Sequence, residues 1–350
     1  MKWINLYVNS VCNLTCKYCY YQNKPGKPYI EYQLDYLFDL IMSEREKIII
    51  CFTGGEPTLS PKLLETLIDR LQDRCFFVLQ TNGTLLHTLP IELIQSFHHI
   101  RISIDGNREY MEQVRGIGTF DKLMENVIKI KHKCDIPLLA RMTLSQPGGF
   151  LDGIRTIIAS KLFAHVYWQL DNDLGGKLPE KFYDSYSLEL PAVLDMWIQS
   201  LNEGQFINAI PFLGVYSLLK TEFIRKNETW YYHCGPGRTM IAIDTKGIIY
   251  SCPEGVSRSG KDGNPSDVIG HISDGKFVVS PHQAKKICLK CSIRHLCGGR
   301  CIWTYHPMYC HSTRLLVNLV RSHFEKLDSL IPRNTLKESL NAVNWTEVIP

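Results

Sequence analysis

Short apolar runs alternate with amphipathic stretches through the first half of the chain. The apolar runs predict β-strands at Trp3–Asn9, Lys47–Thr53, Cys75–Thr81, His99–Ile104, Pro137–Leu144 and His165–Leu170. Between them, apolar residues at helical spacing predict helices near residues 31–44, 61–72, 90–97, 119–133 and 150–161. Five consecutive βα units indicate an α/β fold with a parallel sheet and right-handed crossovers.

Polar turns follow these predicted strands directly. Six strands are too few to close an eight-stranded barrel, so an open partial barrel and a doubly wound sheet both remain. Either architecture places ligands at the C-terminal ends of its strands. We therefore expect a site on the rim formed by the turns at Cys12, Gly54–Pro57, Thr81–Gly83 and Ser103–Gly106.

The turn after the second strand combines small, acidic and rigid residues. Gly54 and Gly55 allow the backbone to come close to a ligand, and Glu56 could accept hydrogen bonds from a cationic amino group. The alternative is an ordinary strand-to-helix turn in which Pro57 starts the helix.

Two further rim residues have alternative readings. Asp105 precedes Gly106 in a common turn dipeptide, but an Asp at a strand end can also hold a ribose hydroxyl. Burying the charged Arg141 side chain inside a barrel would cost free energy unless a carboxylate paired with it. On a surface strand the side chain would stay in water at no such cost.

Composition favours an intracellular enzyme. The chain has 350 residues, 45% of them hydrophobic, which is enough for one large domain with a smaller one appended. A net charge of +4 without a long basic run is typical of a mildly basic surface rather than of a nucleic-acid-binding protein. No signal peptide or bilayer-length apolar segment is visible, so we expect a cytoplasmic protein with reduced thiols available for metal.

Cysteine spacing is the most specific signal in the sequence. Cys12, Cys16 and Cys19 can hold only three irons of a [4Fe–4S] cluster, which leaves one iron open to a small molecule. The later cysteines indicate a separate metal region, where zinc is an alternative because tetrahedral sites also use Cys-x₂-Cys pairs. These seven residues are Cys234, Cys252, Cys288, Cys291, Cys297, Cys301 and Cys310.

The run from Cys12 to Tyr20, with the aromatic Tyr18 before the third Cys, resembles the signature of the radical S-adenosylmethionine (SAM) superfamily. The seven later cysteines resemble the SPASM motif of one branch, and the stretch Arg115–Phe120 is similar to one common in that branch. Gly54–Pro57 resembles the motif for the SAM amino group. The resemblance implies that SAM is bound by Tyr18, Gly54, Gly55, Glu56, Pro57, Asn82, Ser103, Asp105, Arg115 and Arg141, with Ser103 and Asp105 on the ribose side and Arg141 on the carboxylate side.

The family implies a fold and a chemistry. The expected organisation is a partial (β/α)₆ radical SAM barrel at 1–180, a helical bridge at 181–230, a small Cys-rich SPASM domain with a β-hairpin at 231–311, and a C-terminal helix and tail at 312–350. A [4Fe–4S] cluster on Cys12, Cys16 and Cys19 would bind SAM. One electron from the reduced cluster would release a 5′-deoxyadenosyl radical, which takes hydrogen from the substrate.

The SPASM ligand order implies two auxiliary [4Fe–4S] clusters. Cys288, Cys291, Cys297 and Cys310 would hold the second. Cys234, Cys252 and Cys301 would hold the first, with Cys234 and Cys252 brought together by a hairpin of Thr239–Thr245 and Gly247–Ser251. That cluster lacks a fourth Cys, so an open iron, His233 or the substrate itself is expected to complete it.

The branch implies a peptide substrate, cross-linked or epimerised in a ribosomally made precursor. Sulfatase maturation to formylglycine ranks lower, because an Asp expected after the second SPASM Cys is replaced by Pro253 and then Glu254, a candidate base or a plain turn residue. Tetrapyrrole modification is another alternative. Because the first strand begins at residue 3, a separate protein or the barrel itself is expected to recognise any leader. A flavodoxin or ferredoxin would supply electrons.

A non-catalytic iron–sulfur or zinc protein is the alternative from another class. The intact Cys12, Cys16 and Cys19 group together with Glu56 and Asp105 argues against it. The remaining thiols, Cys51, Cys75 and Cys134, lie in or beside apolar strands and are expected to be inert.

Overall fold

The computed structural model describes residues 3–19, 26–171, 178–205, 207–220, 232–258, 267–278, 285–303 and 307–332. Its chain groups into two compact units. The first unit comprises Met1–Ser103, Met111–Leu138 and Gly235–His282, and the second comprises Ile104–Tyr110, Leu139–Cys234 and Gln283–Pro350. The predicted division at residues 180, 230 and 311 stays a prediction.

The strands, in chain order, are β1 Trp3–Asn9, β2 Ile48–Gly54, β3 Cys75–Thr81, β4 His99–Ser103, β5 Leu138–Leu144, β6 His165–Leu170, β7 Asn208–Ala209, β8 Met240–Ile243, β9 Ile248–Tyr250, β10 Val268–His271 and β11 Lys276–Phe277. In the first unit β1 to β4 form a parallel sheet in sequence order. In the second unit β5, β6 and β7 are parallel neighbours. The predicted α/β class with a parallel core is therefore confirmed.

The C-terminal hairpin extends the sheet of the first unit. β8 and β9 are antiparallel, as predicted, and β8 pairs in parallel with β1, with Trp3 opposite Met240. Antiparallel β10 and β11 continue the sheet outward. The tight turn has Gly247 at a φ of 88°, and Asp244 Oδ1 accepts the backbone N–H groups of Lys246 and Ile248. The hairpin is thus part of the same sheet as the first strand of the chain.

The helices are α1 Leu34–Met42, α2 Pro61–Leu71, α3 Ile91–Gln95, α4 Arg108–Arg115, α5 Thr119–Lys133, α6 Phe150–Ser160, α7 Glu180–Asn202, α8 Ile210–Lys220, α9 Pro253–Arg258, α10 Lys286–Leu289, α11 Arg294–Cys297, α12 Pro307–Ser322 and α13 Phe324–Leu330. Short 3₁₀ turns cover Pro57–Leu59, Leu86–Thr88 and Ile272–Asp274. Among the residues that the structure describes, no helix has both the length and the apolar content that crossing a bilayer needs.

The helices that connect the parallel strands are amphipathic, as α2 shows. In α2, Leu64, Leu67, Ile68 and Leu71 recur at the spacing of one helix face, and all four are buried. Pro61 begins this helix, where its missing N–H costs nothing. Because these faces pack inward, the strand ends and the turns after them stay in register along one sheet.

Aromatic residues fill the core of the second unit. The Trp168 ring lies 5.1 Å from both Phe150 and Phe212, and Phe212 stacks on Trp197 at 5.5 Å. The indole N–H of Trp197 donates to Ile207 O at 2.8 Å, which satisfies its polar atom. These contacts show that Trp197 of α7 and Phe212 of α8 are used for core packing. The part of the predicted helical bridge at 221–230 lies outside the described residues.

Some helices differ from the prediction. The single C-terminal helix predicted within 312–350 is two helices, because α12 starts at Pro307 and the chain leaves the helical region at His323 (φ −106°, ψ 12°) before α13. Helix α4 was not predicted, since its sequence REYMEQVR contains few apolar residues. The predicted tail from residue 333 onward lies outside the described residues.

Candidate functional site

The three N-terminal cysteines lie on the loop that follows β1, residues 10–19. Cys16 is buried, Cys19 is half-buried and Cys12 is exposed. The backbone of this loop is fixed twice, because Lys17 N donates to Val114 O at 2.8 Å and Cys19 N donates to Cys16 O at 2.9 Å. We call this segment the cysteine loop.

Gly54 and Gly55 bring the end of β2 against the cysteine loop. A Cβ on Gly55 would lie 2.0 Å from Val11 O, and one on Gly54 would lie 2.3 Å from Asn9 O. Gly54 also has a φ of 142°, which side-chain-bearing residues rarely adopt. Backbone bonds from Gly55 N to Asn9 O (3.2 Å) and from Glu56 N to Val11 O (2.8 Å) close the pairing. These glycines therefore allow close approach to the backbone of Asn9 and Val11, whereas the sequence predicted close approach to a ligand.

Glu56 is a buried carboxylate with neutral donors around it. Its Oε1 accepts Thr58 N at 3.1 Å and the hydroxyls of Thr58 and Thr81 at 2.6 Å each, and its Oε2 accepts Asn82 N at 2.8 Å. Only 1% of the residue is exposed, and this burial raises the pKa of Glu56. A bound cation would stabilise the ionised form, so the carboxylate fits an amino group as its ligand.

Asn82 connects Glu56 to the cysteine loop. Its backbone N–H serves Glu56, while its Nδ2 donates to Asn13 Oδ1 at 2.9 Å and lies 3.9 Å from Cys12 Sγ. Asn126 fixes the same turn from α5 by donating to the carbonyls of Gly83 and Thr84 at 3.0 and 2.9 Å. Asn126 was not predicted as a site residue, although a polar residue on the apolar stripe of a helix was the available signal.

The pKa of Cys12 reflects this neighbourhood. The residue as a whole is exposed, but burial of its thiol raises that pKa, and the negative charges of Glu56 and Cys19 raise it further. Thiols become metal ligands by losing the proton, so a metal must compensate these charges. Three thiols on one fixed loop beside a buried carboxylate fit a three-Cys cluster with SAM at its open iron.

Arg115 contacts the cysteine loop directly. Its Nη1 lies 3.8 Å from Cys16 Sγ, and its guanidinium lies 5.4 Å from the centre of the Tyr18 ring. The side chain is buried, with 8% of the residue exposed. The resemblance placed Arg115 and Tyr18 among the residues that bind SAM. In the structure Arg115 lies against the candidate cluster ligand Cys16, and Tyr18 lies against Arg115. Hydrogen bonds to cluster sulfurs tune cluster potentials.

Ser103 and Asp105 are held by different partners. Ser103 Oγ accepts Gln80 Nε2 at 2.9 Å within the first unit. Asp105, in the second unit, is fully buried, and its Oδ1 accepts Thr143 N at 2.9 Å. Asp105 thus joins the turn after β4 to β5, a structural role that the sequence did not reveal.

Arg141 lies on β5, half-buried. Its Nη2 donates to Gln169 Oε1 at 2.5 Å across to β6. An inward arginine was expected to pair with a carboxylate, but the partner of Arg141 is a neutral amide. The amide orients the guanidinium without neutralising it, so the positive charge stays available for an anionic group.

Four of the later cysteines line one cavity in the second unit. Cys288 lies on α10, Cys291 on the turn after it, Cys297 at the end of α11 and Cys310 on α12. Burial raises the pKa of Cys297 to about 11, and burial together with nearby Cys310 raises that of Cys288. These four match the predicted ligands of the second auxiliary cluster. Among the described residues no three His, Cys, Asp or Glu side chains are placed as ligands of one metal ion, so the fit to a cluster rests on the number of thiols and their shared cavity.

The predicted ligands of the first auxiliary cluster lie in both units. In the second unit, burial and the nearby thiols of Cys288, Cys301 and Cys234 raise the pKa of Tyr232. His233 Nε2 lies 2.7 Å from Leu296 O, so a metal bond from this ring would have to use Nδ1.

In the first unit, Cys252 is buried after β9, and Glu254 is half-buried in the first turn of α9. The sharing of one cluster by Cys234, Cys252 and Cys301, and the role of Glu254 as a base, stay predictions. Of the thiols outside these sets, Cys51 and Cys75 are buried and Cys134 is half-buried at the end of α5.

Comparison with known proteins identifies the domain that carries the cysteine loop. Residues 6–144 match the family model of the Radical SAM superfamily. The chain is 36% identical to an uncharacterized protein of Methanocaldococcus jannaschii over 30% of this chain and 39% of that one. It is 29% identical to the sporulation killing factor maturation protein SkfB of Bacillus subtilis, over 84% of this chain and 68% of SkfB. It is 23% identical to the cysteine-type anaerobic sulfatase-maturating enzyme of Clostridium novyi, over 91% and 92%.

Solved structures agree on the fold. The chain matches anSMEcpe with bound AdoMet at a TM-score of 0.74 and 18% identity, over 99% of this chain and 100% of that one. It matches SuiB of Streptococcus suis bound to the precursor peptide SuiA at 0.60 and 15%, over 86% and 72%. The parallel α/β fold, the cysteine loop and the family match agree that residues 6–144 form a radical SAM domain.

Proposed function

We propose that this protein is a SPASM-type radical SAM peptide maturase. The cysteine loop, fixed beside buried Glu56, is the observation that carries the proposal. When bound, a [4Fe–4S] cluster and SAM would supply reductive cleavage of the S–C5′ bond and a 5′-deoxyadenosyl radical that removes hydrogen from a peptide. The protein's own tasks are to bind, to orient and to exclude water.

The residues divide these tasks. Cys12, Cys16 and Cys19 hold the cluster, and Glu56 accepts the SAM amino group with its carboxylate. Gly54, Gly55 and Pro57 shape the turn that positions Glu56, and Asn82 ties that turn to the cysteine loop. The ribose is assigned to Ser103 and Asp105, the SAM carboxylate to Arg141, and support of the cluster to Tyr18 and Arg115.

The auxiliary clusters are the second part of the proposal. Cys288, Cys291, Cys297 and Cys310 close one [4Fe–4S] cluster, supported by their common cavity. Cys234, Cys252 and Cys301 hold the other, which is one protein ligand short. A substrate thiol or amide at that open iron would bring the peptide into the site, and Glu254 is the candidate base for its proton.

The substrate class is inferred from the relatives. SkfB is named for maturation of a killing factor, and SuiB has been solved with its precursor peptide. We infer cross-linking or epimerisation of a ribosomally made peptide. Formylglycine formation is the second candidate, supported by the near-complete coverage of a sulfatase-maturating enzyme. A cytoplasmic setting, a low-potential flavodoxin or ferredoxin and a separate leader-binding protein complete the proposal.

The test begins with anaerobic reconstitution. Wild-type protein should bind roughly eleven to twelve irons, and dithionite with SAM should yield 5′-deoxyadenosine. Cys16→Ala should abolish that product, whereas Cys134→Ala, which removes a thiol outside the site, should not. Equal product from Cys16→Ala and wild type would disprove the proposal. Zinc in the C-terminal sites would remove the SPASM assignment.

The substrate test uses mass spectrometry of a co-expressed peptide encoded next to this gene. A loss of 2 Da indicates cross-linking, and deuterium incorporation without another mass change indicates epimerisation. An aldehyde at a Cys or Ser of a sulfatase peptide, with no change in the precursor, would favour the second candidate instead.

A further inference from the structure

Positive charge is concentrated in one segment of the chain. Residues 285–324 contain seven Lys and Arg and no Asp or Glu, although the whole chain has 39 basic and 35 acidic residues. The segment therefore holds more positive charge than the net +4 of the protein. Such local excess sets the potential over a surface and steers charged partners toward it.

Five of these seven basic side chains are exposed on the second unit, namely Lys286, Lys290, Arg294, Arg314 and Arg321. We call Lys286, Lys290, Arg294 and Arg314 the basic collar. None of the four forms a salt bridge with a described residue. Two apolar side chains of α10 are also exposed: Ile287 is 57% exposed and Leu289 is 46% exposed. Charged residues around a small exposed apolar patch are typical of transient protein contacts.

Two residues of the basic collar line the four-cysteine cavity, and the other two are close to Cys288 in sequence. Lys286 begins α10 and Lys290 follows its end, each two residues from Cys288, and Arg294 and Arg314 line the cavity itself. Arg314 Nη2 lies 3.3 Å from Cys291 Sγ, and Cys310 is exposed. The second auxiliary cluster would therefore lie directly under this positively charged surface.

We propose that the basic collar is the docking surface of an acidic one-electron carrier protein, of the flavodoxin or ferredoxin class. The proposal rests on the proposed function, because it needs a cluster on Cys288, Cys291, Cys297 and Cys310. A cluster held by these four cysteines would accept the one electron that the reduced centre of the carrier gives up, and no group or proton would be transferred. Electron carriers bind through small, electrostatically steered interfaces, which this surface suits.

The test is stopped-flow oxidation of a reduced, negatively charged flavodoxin by the reconstituted holoenzyme. The variant Lys286→Glu/Lys290→Glu reverses two collar charges. The control Lys62→Glu/Lys122→Glu makes the same charge change on two exposed lysines in the first turns of α2 and α5, where Glu suits the helix dipole. Iron content and reduction by dithionite are measured for each protein.

The collar variant should react with flavodoxin about tenfold more slowly at low salt, and its rate should lose most of its salt dependence. Its iron content and its reduction by dithionite should match wild type, and the control variant should stay within about twofold of wild-type rate. If the collar variant loses iron, Lys286→Gln/Lys290→Gln replaces it, with a smaller expected slowing of about threefold.

Equal slowing in the collar and control variants, or none in either, would overturn the docking surface. So would normal flavodoxin kinetics with lost modification of the peptide by dithionite-reduced enzyme, which would assign the collar to an acidic substrate. A wild-type protein that lacks iron at the four-cysteine cavity would refute the proposed function itself, a result that the iron analysis separates from failed docking.

Discussion

Gly55→Ala probes the contact that joins the end of β2 to the cysteine loop. The added Cβ would lie 2.0 Å from Val11 O and 2.4 Å from Val11 C, both backbone atoms that cannot rotate away. The turn after β2 and the cysteine loop must separate by more than about 1 Å to reach ordinary contact. This separation breaks the hydrogen bonds from Gly55 N to Asn9 O and from Glu56 N to Val11 O. Two lost backbone bonds at about 1 kcal/mol each, with about 1–3 kcal/mol of overpacking, give a destabilisation of about 3–5 kcal/mol.

The assay is urea unfolding of the reduced apoprotein, followed by iron analysis after reconstitution. Gly204→Ala is the matched control, because Gly204 has a φ of 73° and open space around its Cβ position. Gly204→Ala should lower the free energy of unfolding by only about 1 kcal/mol, because an alanine is strained in the left-handed backbone conformation. Gly55→Ala should also bind about four fewer irons, since the displaced loop carries the cluster cysteines. Wild-type stability and iron content in Gly55→Ala would refute the reasoning.

Three other predictions concern single side chains. Glu56→Gln replaces one carboxylate oxygen with an NH₂ group, so a backbone or hydroxyl donor such as Asn82 N loses its acceptor. The free energy of unfolding in urea should fall by about 1–3 kcal/mol, and SAM affinity measured by calorimetry should fall as well. Unchanged values of both would contradict the assigned role. Arg115→Gln should lower the midpoint potential of the cysteine-loop cluster in redox titrations, by about 59 mV if reduced-state stabilisation falls tenfold, whereas an unshifted potential would exclude tuning by Arg115. Burial lowers the pKa of His165 to about 4, so the unfolded chain takes up its proton first as pH falls. Stability should drop by up to about 3 kcal/mol between pH 6.5 and 4, and His165→Asn should flatten that dependence in urea titrations.

Strand positions could be predicted well from the sequence because burial dominates them. β1, β3 and β6 have the predicted bounds, and every residue of β1 is buried. An apolar run between turn residues leaves few other ways to remove that surface from water. By contrast, α4 was missed because REYMEQVR has little apolar pattern, and its ends are set by neighbouring turns.

The site could be predicted at the level of motifs but not of contacts. The sequence placed a carboxylate, two glycines and three cysteines at one rim, yet it could not show that the glycines pack on Asn9 and Val11. It also could not show that Arg115 approaches Cys16 or that Asn126 holds the turn after β3. Each of these contacts joins residues far apart in sequence, and no local propensity encodes such pairs.

The later cysteines show the same division. The resemblance to the SPASM motif predicted which four share a site, and Cys288, Cys291, Cys297 and Cys310 line a common cavity. The basic residues around that cavity are visible in the sequence as a segment without acidic residues. Their exposure, however, could not be predicted, because it depends on how α10, α11 and α12 pack in the folded protein.

The central claim is that the cysteine loop supports reductive cleavage of SAM. The most direct measurement is 5′-deoxyadenosine formed from SAM and dithionite by reconstituted wild-type protein and by Cys16→Ala. We expect product from the wild type and none from Cys16→Ala. Product from both proteins at equal rates, or from neither although the wild type is fully loaded with iron, would contradict the account.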